Sequence, residues 1–319
     1  ETKNVGVELT VNTVNFSTKK FSWNTTLTLS HNKNSVKALT GEAVQLYEAK
    51  FGFNQNTHRI AVGEPLGQFY GYITEGLYQV DDFNYDASTQ TYTLKDGVPY
   101  HGDKGQIRPG MWKFKNLTGD DNVIDENDKT VIGNAQPKFY GGLNNSFTYK
   151  GFDLSIFLTF SYGNEVLNAT KLVTSKVGSL NYNALDVMNS SNRWMTINSD
   201  GQKVTDPGEL AALNAGKTVA AYHDAQQGDN YIHSWAVEDA SYLKLSNVTL
   251  GYTFPKNLIA RVGLKNLRLY ATGNNLLTWT KYSGFDPEVS TMKSGLTPGV
   301  DFGAYPLSRS FIFGLNVAF

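Results

Sequence analysis

The densest polar cluster in the sequence is Asn116–Asp128, which reads NLTGDDNVIDEND. Closely spaced Asp and Asn oxygens around a glycine are what a hard cation such as Ca²⁺ requires. Asn116, Thr118, Asp120, Asp121, Asp125 and Asp128 are the residues that would ligate it. The other reading is a solvated acidic turn. Trp112, Trp194, Trp235 and Tyr305 fall outside the regular segments. An aromatic face can stack on a sugar ring, so these four are ligand-contact candidates, with packing inside the loops as the alternative. Catalysis finds little support. The five histidines are scattered, and the adjacent His223–Asp224 has no nucleophile beside it. There is no cysteine, and no GxSxG, HExxH or P-loop pattern. The expectation is a protein that is not an enzyme. Asp286 and Glu288 in GFDPEVS lie close in sequence to Gly284 and Pro287, which reads as a turn, and a structural role is expected for them.

The elements that position these residues follow from alternation. Val5, Val7, Leu9 and Val11 share a face, against Glu8, Thr10 and Asn12. Phe21–His31 repeats the pattern, and Ser17–Lys20 joins the two as a hairpin. Lys138–Tyr149 and Phe152–Tyr162 flank a turn at Lys150–Gly151; Phe157 alone breaks the second strand's pattern. Tyr242–Phe254 and Leu267–Thr280 pair across Pro255–Asn266, and the last strand is Ser310–Phe319.

These strands run to about 10–13 residues, where soluble strands average about 5–6 and a tilted membrane strand needs about 9–11. Short turns alternate with long connections at roughly 34–137, 163–237 and 281–307. That is the pattern of a bacterial outer-membrane barrel, with short turns in the periplasm and long loops outside. Trp23, Phe139, Tyr149, Phe152, Tyr162, Tyr252, Phe254 and Trp279 at the strand ends suit the interfacial girdles. The net charge of −1 gives no signal for nucleic acid. The low charged fraction, 18% against about 25% in soluble domains, agrees with strands whose second face is neutral and polar.

Seven is an odd number, and single-chain bacterial barrels have even ones. An open sheet would leave two unpaired edges in lipid. The opening ETKNVGVELTVN also lacks the features of a signal peptide. The expectation is one segment, residues 1–319, of a larger transmembrane antiparallel β-barrel.

Four stretches then carry a family resemblance: GEPLGQFYGYITEGLYQ, YLKLSNVTLGYTFPKNL, LRLYATGNNLLTWTKYSGFDPEVS and the terminal FGLNVAF. Together they resemble the C-terminal part of the SusC/RagA-type TonB-dependent outer-membrane transporters of Bacteroidetes. The resemblance implies the last seven strands of a 22-stranded barrel, with the plug domain and TonB box absent from this chain. It implies import of glycans, oligosaccharides or peptides, and a SusD-like surface lipoprotein as partner. It also implies energy from TonB–ExbB–ExbD through the missing N-terminal part. Family members often carry an EF-hand-like DxNxDGxxD loop at the acidic cluster. Here Asn116 stands at its first Asp, Thr118 at its Asn, and Asp121–Asn122 adds a residue where one Gly is usual. Phe319, on the apolar face of the last strand, resembles the signal read by the barrel-assembly machinery; one more lipid-facing aromatic is the plainer reading. The alternative function is a secreted β-sandwich carbohydrate-binding module, which needs shorter strands packed face to face and loops of similar length at both ends.

Overall fold

The computed structural model describes residues 1–41, 43–48, 56–119, 121–175, 183–221, 231–292 and 294–319. Seven strands form one antiparallel sheet in chain order: β1 (Thr2–Ser17), β2 (Phe21–Val36), β3 (Phe139–Tyr149), β4 (Phe152–Tyr162), β5 (Tyr242–Thr253), β6 (Asn266–Thr280) and β7 (Ser310–Ala318). The expected strands and short turns are all present. β1 and β2 are longer than expected, at 16 residues each. Pairing continues beyond the alternating core because Lys3–Gly6 still find partners in Asn32–Ser35.

Register turns the alternation into two faces. Val11, Leu27, Leu143, Leu158, Leu245 and Leu277 form one row across six strands. Displaced by one residue, on the opposite face, lie Thr10, Thr28, Gly142, Thr159, Lys244 and Thr278. No second sheet covers the apolar face among the described residues: Val7, Phe16, Phe311 and Phe313 are exposed, Phe313 to 81%. A bare apolar surface of this extent suits a lipid neighbour rather than water. An amide on this face, Asn145, is held within the sheet, its Oδ1 accepting from Trp23 Nε1 at 2.9 Å and Thr25 Oγ1 at 2.7 Å.

The irregular positions have local causes. Phe157 lies on the polar face, where its ring covers Gly142; a Cβ there would come within 3.0 Å of the ring. Between β5 and β6 the register shifts at Leu245/Asn247, and Asn275 takes up the bulge with φ +53°. Asn tolerates this left-handed conformation better than most residues.

The three long connections fold together as a lobe at one end of the sheet. The first supplies a four-stranded sheet in the order Thr130–Asn134, Gln68–Gly71, Asn56–Ala61, Val44–Glu48. The aromatic stretch GQFYGYITEGLYQ becomes two short strands, Gln68–Gly71 and Thr74–Leu77. Its Phe69, Tyr72, Leu77 and Tyr78 are buried in three hydrophobic clusters of the lobe. The second connection includes helices Ala169–Thr174 and Pro207–Leu213, the latter capped by Asp206, whose carboxylate accepts from Glu209 N. No helix is long and apolar enough to cross a membrane among the described residues.

Candidate functional site

Among the described residues, the lobe and the polar face of the sheet carry the acidic loop, the aromatic ligand-contact candidates and the GFDPEVS turn. In the acidic loop the organising group is Asp128, which is fully buried. Its Oδ1 accepts from Leu117 N at 2.6 Å, Thr118 N at 2.9 Å and Thr118 Oγ1 at 3.2 Å; its Oδ2 accepts from Asp125 N at 2.8 Å. Burial pushes its pKa up, but the N–H groups of Asp125, Leu117 and Thr118 outweigh that and hold it below the usual carboxylate range. Asn116 turns its amide inward as a donor, to Asp121 O at 2.8 Å. Asp121 Oδ1 accepts from Val123 N, and Asp125 Oδ1 from Asn127 N. The carboxylates thus face backbone donors, and no group of three His, Cys, Asp or Glu converges among the described residues. Asp120 lies outside the described residues.

The aromatic candidates separate by burial. Trp194 is 1% exposed and packs on Gly110, where a Cβ would come within 2.3 Å of the indole. Trp112 is 6% exposed, with its ring 4.9 Å from Trp235 and 5.0 Å from His233. Half-buried Trp235 carries Lys171 Nζ 4.0 Å from its ring centroid. Tyr305, at 89% exposure, is the one of the four with its ring open to a ligand. Phe319 follows β7 and is exposed. His223 and Asp224 lie outside the described residues.

GFDPEVS is a clasp. Lys244 on β5 points from the polar face and is buried beneath this loop. Its Nζ pairs with Glu288 and lies 3.8 Å from Asp286 Oδ1. Tyr242 Oη donates to Glu288 Oε1 at 2.5 Å. Nearby, Tyr282 Oη donates to Asp301 Oδ2 at 2.6 Å, which raises the phenol's pKa through burial and then that bond. Glu238 accepts from Lys171 Nζ, Ser283 N and Ser283 Oγ, fastening the second connection to the third.

A cavity of about 360 Å³ went unrecognised in the sequence. Tyr92, Arg108, Pro109, Lys203, Thr205 and Leu210 are among its lining residues, and Tyr92 Oη donates to Thr205 O at 2.7 Å. No spacing signals it, because its walls come from segments about 100 residues apart that meet only in the folded lobe.

No protein-family model matches the chain. Curated relatives do. TonB-dependent receptor P3 of Formosa agariphila is 33% identical over 326 residues, covering all of this chain and 29% of that protein. TonB-dependent receptor SusC of Bacteroides thetaiotaomicron is 27% identical over 330 residues, 99% of this chain and 26% of that protein. The chain is a homologue of the SusC-type TonB-dependent receptors. It spans less than a third of the length of these relatives. Among solved structures, the RagAB peptide transporter matches the whole chain with a TM-score of 0.67 at 21% identity, over 29% of its own chain. The RagAB peptide importer in the "open-open" state matches with a TM-score of 0.65 at 20% identity. These two likenesses show the fold alone.

Proposed function

We propose that the chain is part of the barrel wall and extracellular lobe of an outer-membrane importer that is energised through TonB. The observation that carries this reading is the sheet itself. One face is apolar and bare, the other is polar and bears the lobe's clasp, and the long connections all leave from one end. The edges of β1 and β7 would pair with the remainder of the barrel, since unpaired edges are costly in lipid. Glycans, oligosaccharides or peptides are the cargo we infer, passed down from a SusD-like lipoprotein lid. Peptide transport is the role named for the RagAB neighbours. Tyr305 and the cavity lined by Tyr92, Arg108 and Lys203 are the places on this chain where such a cargo would make contact. Wall and lobe bind and guide; the chain does no covalent chemistry in this reading. Phe319 would be the aromatic by which the assembly machinery recognises the last strand.

The test is the full receptor in its own cells. It should fractionate with the outer membrane, migrate faster unheated than boiled, and lose cargo uptake when TonB is removed. A water-soluble monomer whose migration heating leaves unchanged would contradict the reading.

A further inference from the structure

The turns at the end opposite the lobe carry a one-signed charge. Segments 17–20, 150–151 and 255–265 contain Lys19, Lys20, Lys150, Lys256, Arg261 and Lys265, and no Asp or Glu. All six are exposed. Asp153 lines the same rim as Lys19, Lys20 and Lys150, but its carboxylate is already held by Arg268, with Nε at 3.0 Å and Nη2 at 2.6 Å. None of the six makes an ion pair among the described residues.

Three of these lysines are brought together. Lys150 N donates to Lys20 O at 3.3 Å, so the first two short turns lie side by side. Lys19, Lys20 and Lys150 line a shared cavity of about 440 Å³ with Phe21, Tyr149 and Phe152. The aromatics belong to a row that continues on the apolar face: Phe21, Tyr149, Phe152 and Tyr252 are successive neighbours in register. Phe152 and Tyr252 have ring centroids 4.5 Å apart. A cationic cavity therefore opens directly onto an aromatic, lipid-facing wall.

Lys150 adds a second observation. It sits at φ +45°, followed by Gly151 at φ +92°, as the first central residue of a two-residue hairpin loop. A turn with two positive φ values favours Asn-Gly or Asp-Gly. A lysine there is strained. The strain goes with placing an ammonium at the rim, 5.3 Å from the Tyr149 ring centroid.

We propose that this rim binds the headgroups of anionic phospholipids, with Lys19, Lys20 and Lys150 holding one phosphate while its acyl chains lie along Phe21, Tyr149, Phe152 and Tyr252. The inference rests on the membrane orientation given above, with the short turns in the periplasmic leaflet. Charge and apolar surface meet at the depth where a headgroup joins its chains.

The experiment uses the full receptor in nanodiscs of phosphatidylethanolamine and phosphatidylglycerol, with native mass spectrometry counting the lipids that remain bound. Wild type should retain phosphatidylglycerol in excess of its share. Each lysine near an anionic surface contributes about fivefold in binding. Lys19→Ala/Lys20→Ala/Lys150→Asn should therefore abolish the excess, and Lys150→Asn alone should cut it about fivefold. Lys150→Asn installs the residue the turn prefers, and Thr18, not the lysines, makes the side-chain bonds of the first turn, so both variants should fold. Lys19→Arg/Lys20→Arg should keep the excess. A wild type with no preference, or a folded Lys150→Asn variant with wild-type preference, overturns the proposal. Heat-modifiable migration of the same samples reports separately on the barrel reading: its absence in wild type counts against the barrel, whereas heat-modifiable migration without lipid preference counts against the rim alone.

Discussion

His58 Nε2 donates to the Pro298 carbonyl over 2.9 Å and so fastens the first long connection to the last, 240 residues away in the chain. The carbonyl can only accept, which places the proton on Nε2 and leaves Nδ1 to accept from the Thr57 hydroxyl at 2.8 Å. The imidazole is fully buried, and this desolvation lowers its pKa to about 4 against the small opposing effect of the Pro298 bond. Above pH 6.5 it is neutral folded or unfolded and adds no pH dependence. Between pH 6.5 and about 4 the unfolded chain takes up a proton that the folded lobe refuses. The lobe should lose up to about 3 kcal/mol across that window. Denaturant titrations of the full receptor at pH 7 and pH 4.5, followed by tryptophan fluorescence, measure this. His58→Gln should lower stability at pH 7 and flatten the loss towards pH 4.5; an unchanged pH slope would show that His58 is not its source.

Gly71 is the closest approach in the lobe. A Cβ there would lie 2.2 Å from the Ile232 carbonyl oxygen. The contact is tight because Tyr72 N donates to Ile232 O and Ser234 N donates to Tyr72 O, both at 2.9 Å. Backbone cannot swing aside as a side chain can. Gly71→Ala should cost about 3 kcal/mol or more, at the upper end of overpacking. Faster limited proteolysis within residues 183–221 or 231–237, with barrel migration preserved, is the expected result.

Asp128 holds its loop by accepting four hydrogen bonds, three of them from backbone N–H groups. Asp128→Asn keeps the shape but replaces an acceptor with a donor facing another donor. A loss of about 1–3 kcal/mol in lobe stability is expected. The same geometry predicts little heat on titrating the chelated receptor with millimolar Ca²⁺, and an unchanged melting temperature. A calcium-dependent rise in melting temperature that Asp128→Asn removes would show a cation bound in this loop.

Lys244 is a buried cation with two carboxylate neighbours, Glu288 and Asp286. Glu288→Gln should loosen the third connection, costing about 1–3 kcal/mol locally, because Asp286 still lies nearby. Glu288→Gln/Asp286→Asn should cost more than either alone. Protease sensitivity within residues 281–307 is the readout, and no difference between single and double variants would separate Asp286 from the clasp.

The wall was legible in the sequence because its determinant is local: a period of two needs only neighbouring residues. Even its exception, Phe157, was visible as a break, although the reason lies in Gly142 on the adjacent strand. The lobe was far less legible. Tyr72 pairs with His233 and Trp194 packs on Gly110, contacts that no local pattern encodes. Two of the tryptophans proposed as ligand contacts are buried for this reason: large aromatics in a long loop first serve that loop's own core. GFDPEVS read as a turn, and it is one, but its partner Lys244 lies more than 40 residues earlier on the wall. The acidic loop showed its composition plainly. What the sequence could not show was that Asp128 points inward, to backbone donors.

Topology is the central claim, and because this chain has no cysteine it is measurable once any cysteine elsewhere in the receptor is replaced by serine. Single cysteines would be placed at Tyr305 in the lobe, Leu250 on the apolar face and Lys19 at the short-turn rim. Intact cells would then be treated with a membrane-impermeant maleimide. Tyr305→Cys should label in intact cells, Lys19→Cys only after the outer membrane is permeabilised, and Leu250→Cys only after the protein is unfolded. Labelling of Lys19→Cys in intact cells, with Tyr305→Cys protected until permeabilisation, would contradict the account.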